Sequence, residues 1–214
     1  YVSFIYNQAG SLVRWFRDTF ASADTKLAGS SLSVQEKDIY DILAQEMPKG
    51  PGKIITLPYF DITGPPGFVQ DASGVIAGLK LDTTRGEILK SIMECATFYF
   101  LESIQVLKTI GIDTSAFVAT GGGAKSDPWL QIKSNIFGVP FIRPVITEAG
   151  TLGAAIIGGL ATGTFGSPKE GADAFVKIDK VFEPDMAEHG IYRERYETFR
   201  EFFPLLYPLL KKLP

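Results

Sequence analysis

The chain has 214 residues, 45 % of them hydrophobic, and a formal net charge of −3. That suffices for one large folded domain; it is too apolar for a disordered chain and too evenly charged for a nucleic-acid-binding stripe. One cysteine, Cys95, and one histidine, His189, remote from it in sequence, exclude a disulfide framework and a Cys/His zinc site.

Taken in chain order, Val2 to Tyr6 reads as a strand. Gly10 to Phe20 carries Leu12, Val13, Trp15, Phe16 and Phe20 at helical spacing. Ala21 to Ser33 is small and polar, a loop. Val34 to Met47 returns to the helical period through Ile39, Ile42 and Leu43, and Pro48-Lys-Gly-Pro-Gly52 stops it. Ile54 to Leu57 is a short strand, Asp61 to Gly74 a Gly/Pro loop and Val75 to Leu81 a strand.

Thr84 to Ile110 is the best-marked helix. Thr84 and Glu87 have the spacing of a capping box, and Gly111 supplies the left-handed position that ends a helix. Cys95 falls within it and reads as a small core residue. Ala116 to Thr120 is a strand that runs into Gly121, Gly122 and Gly123. Asp127 can cap the next helix, with Pro128 at its first position, and Gly138 closes it.

Phe141 to Pro144 is a brief strand. Ala149 to Thr162 is a helix so rich in small and apolar residues that burial is expected, yet too short to span a bilayer. Lys169 to Val176 is a short helix and Lys177 to Phe182 a strand. Met186 to Leu213 is a long helix with Tyr192, Tyr196, Phe199 and Phe203 on one stripe, and Pro204 and Pro208 are expected to kink or break it. Strands alternate with helices, so the class is α/β, and no linker divides the chain. The opening has neither the charged nor the apolar region of a leader peptide. A reducing, cytoplasmic setting is expected, and the start at Tyr1 is expected to lie within a longer protein.

The run Ala119-Thr-Gly-Gly-Gly-Ala-Lys-Ser-Asp127 carries the chemistry. Without Cβ atoms, glycine backbone can approach a flat or charged ligand, and the following helix aims free N–H groups and a positive dipole end at it. A tight turn with no ligand is the bland alternative. Two familiar nucleotide motifs do not fit. A P-loop needs glycine where the chain has Ala124 and Ala119, and a Rossmann fingerprint starting at Gly121 needs Gly or Ala where it has Ser126.

The stretch from Phe117 to Gly138, with Val139-Pro140, Glu148 and the small-residue helix from Ala149 to Leu160, resembles the adenosine segment and the following segment of the FGGY carbohydrate kinases, the xylulose-kinase-like branch above all. Gly74-Val-Ile-Ala-Gly-Leu79 followed by Glu87-Ile-Leu-Lys-Ser-Ile-Met-Glu94 is similar to that family's C-terminal signature. The resemblance covers nearly the whole chain.

It implies an actin-like ATPase (ribonuclease H-like) domain with a mixed sheet flanked by helices. This would be the C-terminal, ATP-side domain of a sugar kinase whose N-terminal sugar-binding domain is absent from residues 1–214. It implies ATP and Mg2+ as cofactors, a sugar acceptor such as the ketopentose xylulose, and domain closure over both. Gly121, Gly122, Gly123 and Ala124 would lie along the adenosine and α-phosphate, and Asp127 falls where relatives place a polar residue near the adenine. For Asp127 that role and the helix cap compete.

Lys125 reads as a solvated loop lysine or a phosphate contact. Glu148 reads as a first-turn acid or a hinge contact. The catalytic Asp would lie upstream of Tyr1, so no catalytic residue and no metal ligand is assigned here. ATP or ADP and the sugar are the expected partners, with a homo-oligomer as an option and neither nucleic acid nor membrane. The alternatives are a non-catalytic nucleotide-binding or regulatory module and a purely structural domain. One segment departs from the family: Leu57-Pro-Tyr-Phe60 leads into Asp61-Ile-Thr-Gly-Pro-Pro-Gly67, which lacks the acid–Arg pair many members carry there.

Overall fold

The computed structural model describes residues 9–24, 39–62, 68–71, 73–112 and 114–213. The expected strand at Val2 to Tyr6, most of the loop from Ala21 to Ser33, the first residues of the helix expected from Val34 and the Gly64-Pro-Pro-Gly67 run lie outside these. The chain forms two compact units, Tyr1–Asp113 with Met186–Pro214, and Thr114–Asp185.

In the first unit, α1 (Ala9–Phe20), α2 (Ile39–Gln45), β1 (Ile55–Leu57), β2 (Val75–Ala77) and α3 (Arg85–Thr109) are followed, after the second unit, by α7 (Met186–Leu210). Residues 22–24, expected in a loop, are already helical. Strands β1 and β2 pair antiparallel with Thr56 opposite Ile76. The second strand stops at Ala77 because Gly78 takes φ +94°.

Helix α3 is the axis of this unit. Its capping box forms as the spacing predicts: Glu87 N–H donates to Thr84 Oγ1 at 3.3 Å and Thr84 N–H to Glu87 Oε2 at 2.8 Å. Gly111 follows its end at φ +76°. Leu89, Ile92, Met93, Cys95, Phe98 and Tyr99 are all buried, so apolar surface is covered on most sides of the helix. Phe98 meets Tyr192, Tyr196 and Phe199 at ring distances of 6.1, 5.7 and 5.5 Å. Burying such a ring contributes about 2–3 kcal/mol. Cys95 is a core residue: its Sγ accepts the Thr56 N–H at 3.3 Å, and burial pushes its thiol up to about 12. Pro204 and Pro208 lie inside α7 and do not end it. Each removes one N–H donor, and the stacking of Tyr59 on Phe203 at 4.0 Å ties that turn to the core.

The second unit contains β3 (Phe117–Val118), α4 (Asp127–Phe137), β4 (Phe141–Pro144), α5 (Ala149–Ala161), α6 (Pro168–Phe175) and β5 (Ile178–Phe182). The sheet order is β3-β4-β5, parallel between the first two strands and antiparallel between the last two, a mixed sheet as expected. A parallel pair needs a crossover, and α4 supplies it. Leu130 of α4 packs on Phe141 and Phe182, with Phe117, Ala119 and Phe137 around them. Gly138 closes α4 at φ +68°, its N–H donating to the Ser134 carbonyl at 2.8 Å. Helix α5 runs where expected, yet none of its residues is buried. It packs on α6, where Gly171 lets Ile156 approach. Among the described residues none covers the rest of its apolar surface, because burial needs a partner surface that periodicity alone does not supply.

Candidate functional site

The glycine turn sits between β3 and α4. The parallel ladder extends one residue past β3, with Ala119 N–H donating to the Ile142 carbonyl at 2.9 Å. Gly121 then takes φ +76° and ψ −169°, a region essentially reserved for glycine. Its N–H donates to the Thr147 carbonyl at 2.7 Å, which fixes the entry to the turn. Gly122–Lys125 form one turn of 3-10 helix, closed by Ala124 N–H to the Gly121 carbonyl at 3.1 Å.

The residues of the turn are not equivalent. Among the described residues, a Cβ at Gly121 or Gly122 would meet no heavy atom within 4 Å. One at Gly123 would stand 3.6 Å from the Trp129 ring and 3.7 Å from Lys133 Nζ. Ala124 is buried beneath. The turn therefore has an open side at Gly121 and Gly122, and a supported side at Gly123 and Ala124. Trp129 carries Lys133 Nζ 4.6 Å from its ring centre, a cation–π contact one helical turn apart. Burial lowers the Lys133 amine to about 8.

Asp127 does not cap α4. Ser126 is the N-cap: it is extended (φ −91°, ψ 104°) and its Oγ accepts from Trp129 N–H at 3.4 Å. Asp127 is the first helical residue and Pro128 the second, a shift of one from expectation. The reason is that the Asp127 carboxylate is engaged elsewhere. Arg143 Nη1 donates to its Oδ1 at 2.5 Å and Lys180 Nζ to its Oδ2 at 2.6 Å. Burial pushes the Asp127 carboxyl up, but the two hydrogen bonds and the charges behind them outweigh it and hold it below the usual range. Arg143 and Lys180 escaped the sequence reading because nothing local links β4 and β5 to the turn. Their only signal was a cation at facing positions of two short strands.

Lys125 Nζ pairs with Glu148 Oε1 at 3.1 Å, with both side chains well exposed. Glu148 is the N-cap residue of α5, outside its first turn, and makes no capping hydrogen bond. Of the five expected site residues, Gly121, Gly122, Gly123 and Ala124 form the turn, and Asp127 opens the helix that follows it. Of these, Gly121 and Gly122 offer open backbone. Among the described residues no three His, Cys, Asp or Glu side chains converge to hold a metal ion. Asp61, in the loop that lacks the acid–Arg pair, accepts from the N–H of its neighbour Ile62 at 2.8 Å, as a turn aspartate does.

The chain as a whole is matched by known proteins. Residues 4–162 match the C-terminal domain of the FGGY family of carbohydrate kinases. The chain belongs to that family. A xylulose kinase of Staphylococcus epidermidis (strain RP62A) is 26 % identical over 195 residues, which are 91 % of this chain and 37 % of that one. A glycerol kinase of Oleidesulfovibrio alaskensis is 31 % identical over 180 residues, 84 % of this chain and 34 % of that one. Among solved structures, ligand-bound xylulose kinase from Lactobacillus acidophilus superposes with a TM-score of 0.74 at 26 % identity, over 96 % of this chain and 39 % of that one. The fold is thus the actin-like ATPase fold of the FGGY kinases. The chain spans about a third of the length of the curated relatives it matches. Among the described residues of this FGGY-family chain, no helix is long and apolar enough to cross a membrane.

Proposed function

We propose that this chain is the nucleotide-binding part of an ATP-dependent carbohydrate kinase. The observation that carries the reading is the open side of the glycine turn: two consecutive glycines whose Cβ positions face free space, one of them in a backbone conformation that excludes other residues. They stand one 3-10 turn before the capped N-terminus of α4. Such backbone lets an adenosine and its α-phosphate approach to contact distance, and the helix end favours the phosphate charge. Membership in a family of carbohydrate kinases supports the same reading. In it, Gly121, Gly122, Gly123 and Ala124 line the nucleotide and Asp127 stands at the edge of the site.

ATP supplies the phosphoryl group, and this part of the enzyme positions it. The turn offers donors and shape but no base, so the residue that takes the proton from the sugar hydroxyl is assigned to another domain of the whole enzyme. Closure of that domain would bring sugar and γ-phosphate together and exclude water. The uncovered α5, with Gly150 and Gly153 open to close approach, suits contact with it. The acceptor class is a sugar or polyol. Relatives include both xylulose and glycerol kinases, and a ketopentose such as xylulose is the acceptor we favour.

Calorimetric titration of the 214-residue chain with ADP and ATP tests the reading. Saturable heat is expected, accompanied by a rise in Tm. No heat and no thermal shift at millimolar nucleotide would refute it. The same chain, mixed with ATP, Mg2+ and xylulose or glycerol, is expected to release no sugar-dependent ADP, and sustained release would overturn the assignment of the base to another domain.

A further inference from the structure

The exit of the glycine turn is held by a side chain from the neighbouring strand. Arg143 lies on β4, opposite Lys180 of β5. Its Nη1 donates to Asp127 Oδ1 at 2.5 Å and lies 3.3 Å from the Ala124 carbonyl, while its Nε donates to Asp179 Oδ2 at 2.6 Å. Lys180 Nζ takes the second oxygen of Asp127. Both cations lie over the Phe182 ring, at 5.5 and 4.8 Å from its centre, which restricts where they can swing. Arg143 is the most enclosed member, its side chain 16 % exposed against nearly half for each of the other three.

Two consequences follow. Three glycines and a single 3-10 turn have little stiffness of their own, because glycine loses the most conformational freedom on ordering. The turn is anchored at its entry by Gly121 N–H on Thr147, and at its exit by Arg143 on Ala124 and Asp127. The charges also balance: two carboxylates against a guanidinium and an ammonium leave the exit neutral. Without Arg143 the same place carries an excess negative charge beside the proposed nucleotide site.

We propose that Arg143 is a positioning residue for the nucleotide. It holds Ala124 and Asp127 so that the glycine turn keeps its receptive shape, and it neutralises the carboxylates at the turn's exit; Asp127 acts through this clamp, with Lys180 completing it. The inference rests on the nucleotide reading above and gives Asp127 a bracing role in place of a base contact.

Two measurements on the 214-residue chain test it, with Arg143→Met, Arg143→Lys and Lys180→Met compared with the parent. In calorimetry, Arg143→Met is expected to weaken ADP binding about tenfold or more, the scale of one lost charge-assisted bond. Arg143→Lys restores part of that, since an ammonium keeps the charge but cannot span three acceptors at once. In hydrogen exchange, the two bonded amides of the turn, Gly121 and Ala124, exchange faster in Arg143→Met while the β4–β5 ladder amides stay as in the parent. ADP binding by Arg143→Met within twofold of the parent overturns the proposal. So does equal acceleration of turn and ladder amides, which marks general destabilisation. If the parent itself binds no ADP, the nucleotide reading fails, and the exchange pattern alone then decides whether the clamp exists. If Arg143→Met does not fold, Arg143→Lys and Lys180→Met carry the same two measurements, with smaller losses expected in the same order.

Discussion

Tyr192, in the last helix, donates its hydroxyl hydrogen to Oε1 of Glu94, in the middle of α3, at 2.8 Å and 98 residues away in sequence. The same oxygen accepts the Gly52 N–H at 2.9 Å, and Oε2 faces Arg195 Nη2 at 3.6 Å. Arg195 also donates to the Ile54 carbonyl at 3.0 Å. Glu94 is completely buried. One carboxylate therefore joins the loop before β1, helix α3 and helix α7.

Glu94→Ala is expected to cost about 3–5 kcal/mol, because it leaves a largely enclosed guanidinium and the Tyr192 and Gly52 donors without their acceptor. Tyr192→Phe should cost only about 1 kcal/mol, the scale of one hydrogen bond. Urea denaturation of both variants and their double mutant measures this; equal losses would show that the carboxylate is not the hub. Gly52→Ala belongs with them, since its Cβ would lie 2.9 Å from Glu94 Oε2.

Two helical glycines should respond in opposite directions to alanine. At Gly86 a Cβ would stand 2.0 Å from the Glu46 carbonyl oxygen, a backbone atom that cannot swing away. Gly86→Ala is expected to lose about 2–3 kcal/mol. At Gly190, exposed in α7, a Cβ meets nothing within 4 Å, and Gly190→Ala should gain up to about 1 kcal/mol from helix propensity. Thermal melts of the pair decide it.

Lys133 makes stability depend on pH. Burial lowers its folded value to about 8 from the usual 10.5. Below about 8 the amine is protonated in both states, and the folded chain bears the full cost of a buried charge. Between about 8 and 10.5 the unfolded chain holds a proton that the folded one has lost, so stability rises with pH and then levels off. Lys133→Met removes that rise and is expected to stabilise the chain at neutral pH by up to about 3 kcal/mol. Denaturation curves from pH 7 to 11 check this; parallel curves for parent and variant would reject it.

The glycine turn separates fold from ligand. Gly122→Leu points a side chain into free space and should change stability by less than about 0.5 kcal/mol. If the nucleotide occupies that space, ADP affinity falls at least about tenfold. Gly121→Ala should instead cost about 1–3 kcal/mol from backbone strain at φ +76°. Unchanged ADP binding in Gly122→Leu would place the nucleotide elsewhere.

The elements most legible in sequence were those whose cues are local. Thr84 and Glu87 bond to each other, so their spacing alone predicted the start of α3. Gly138 and Gly111 needed only a positive φ. The stripe Tyr192, Tyr196, Phe199 needed only the period of a helix, and the glycine turn only its composition and its place between strand and helix. Misreadings arose where a side chain had more than one local use or where burial was inferred from composition. Asp127 could cap α4 as well as Ser126, and only cations arriving from β4 and β5 drew it away. Helix α5 is apolar enough to be buried, but none of its residues is buried among the described residues.

The sequence by itself determined the α/β order, the caps and the existence of the glycine turn, because hydrogen bonds within a few residues and side-chain periodicity are set along the chain. Only the tertiary structure decided which side of that turn is open, that Arg143 and Lys180 close on Asp127, and that Glu94 ties two distant segments to its own helix. Those depend on groups brought within about 3 Å across 16 to 98 residues of sequence, where strand register and helix packing, rather than local preference, select the partner.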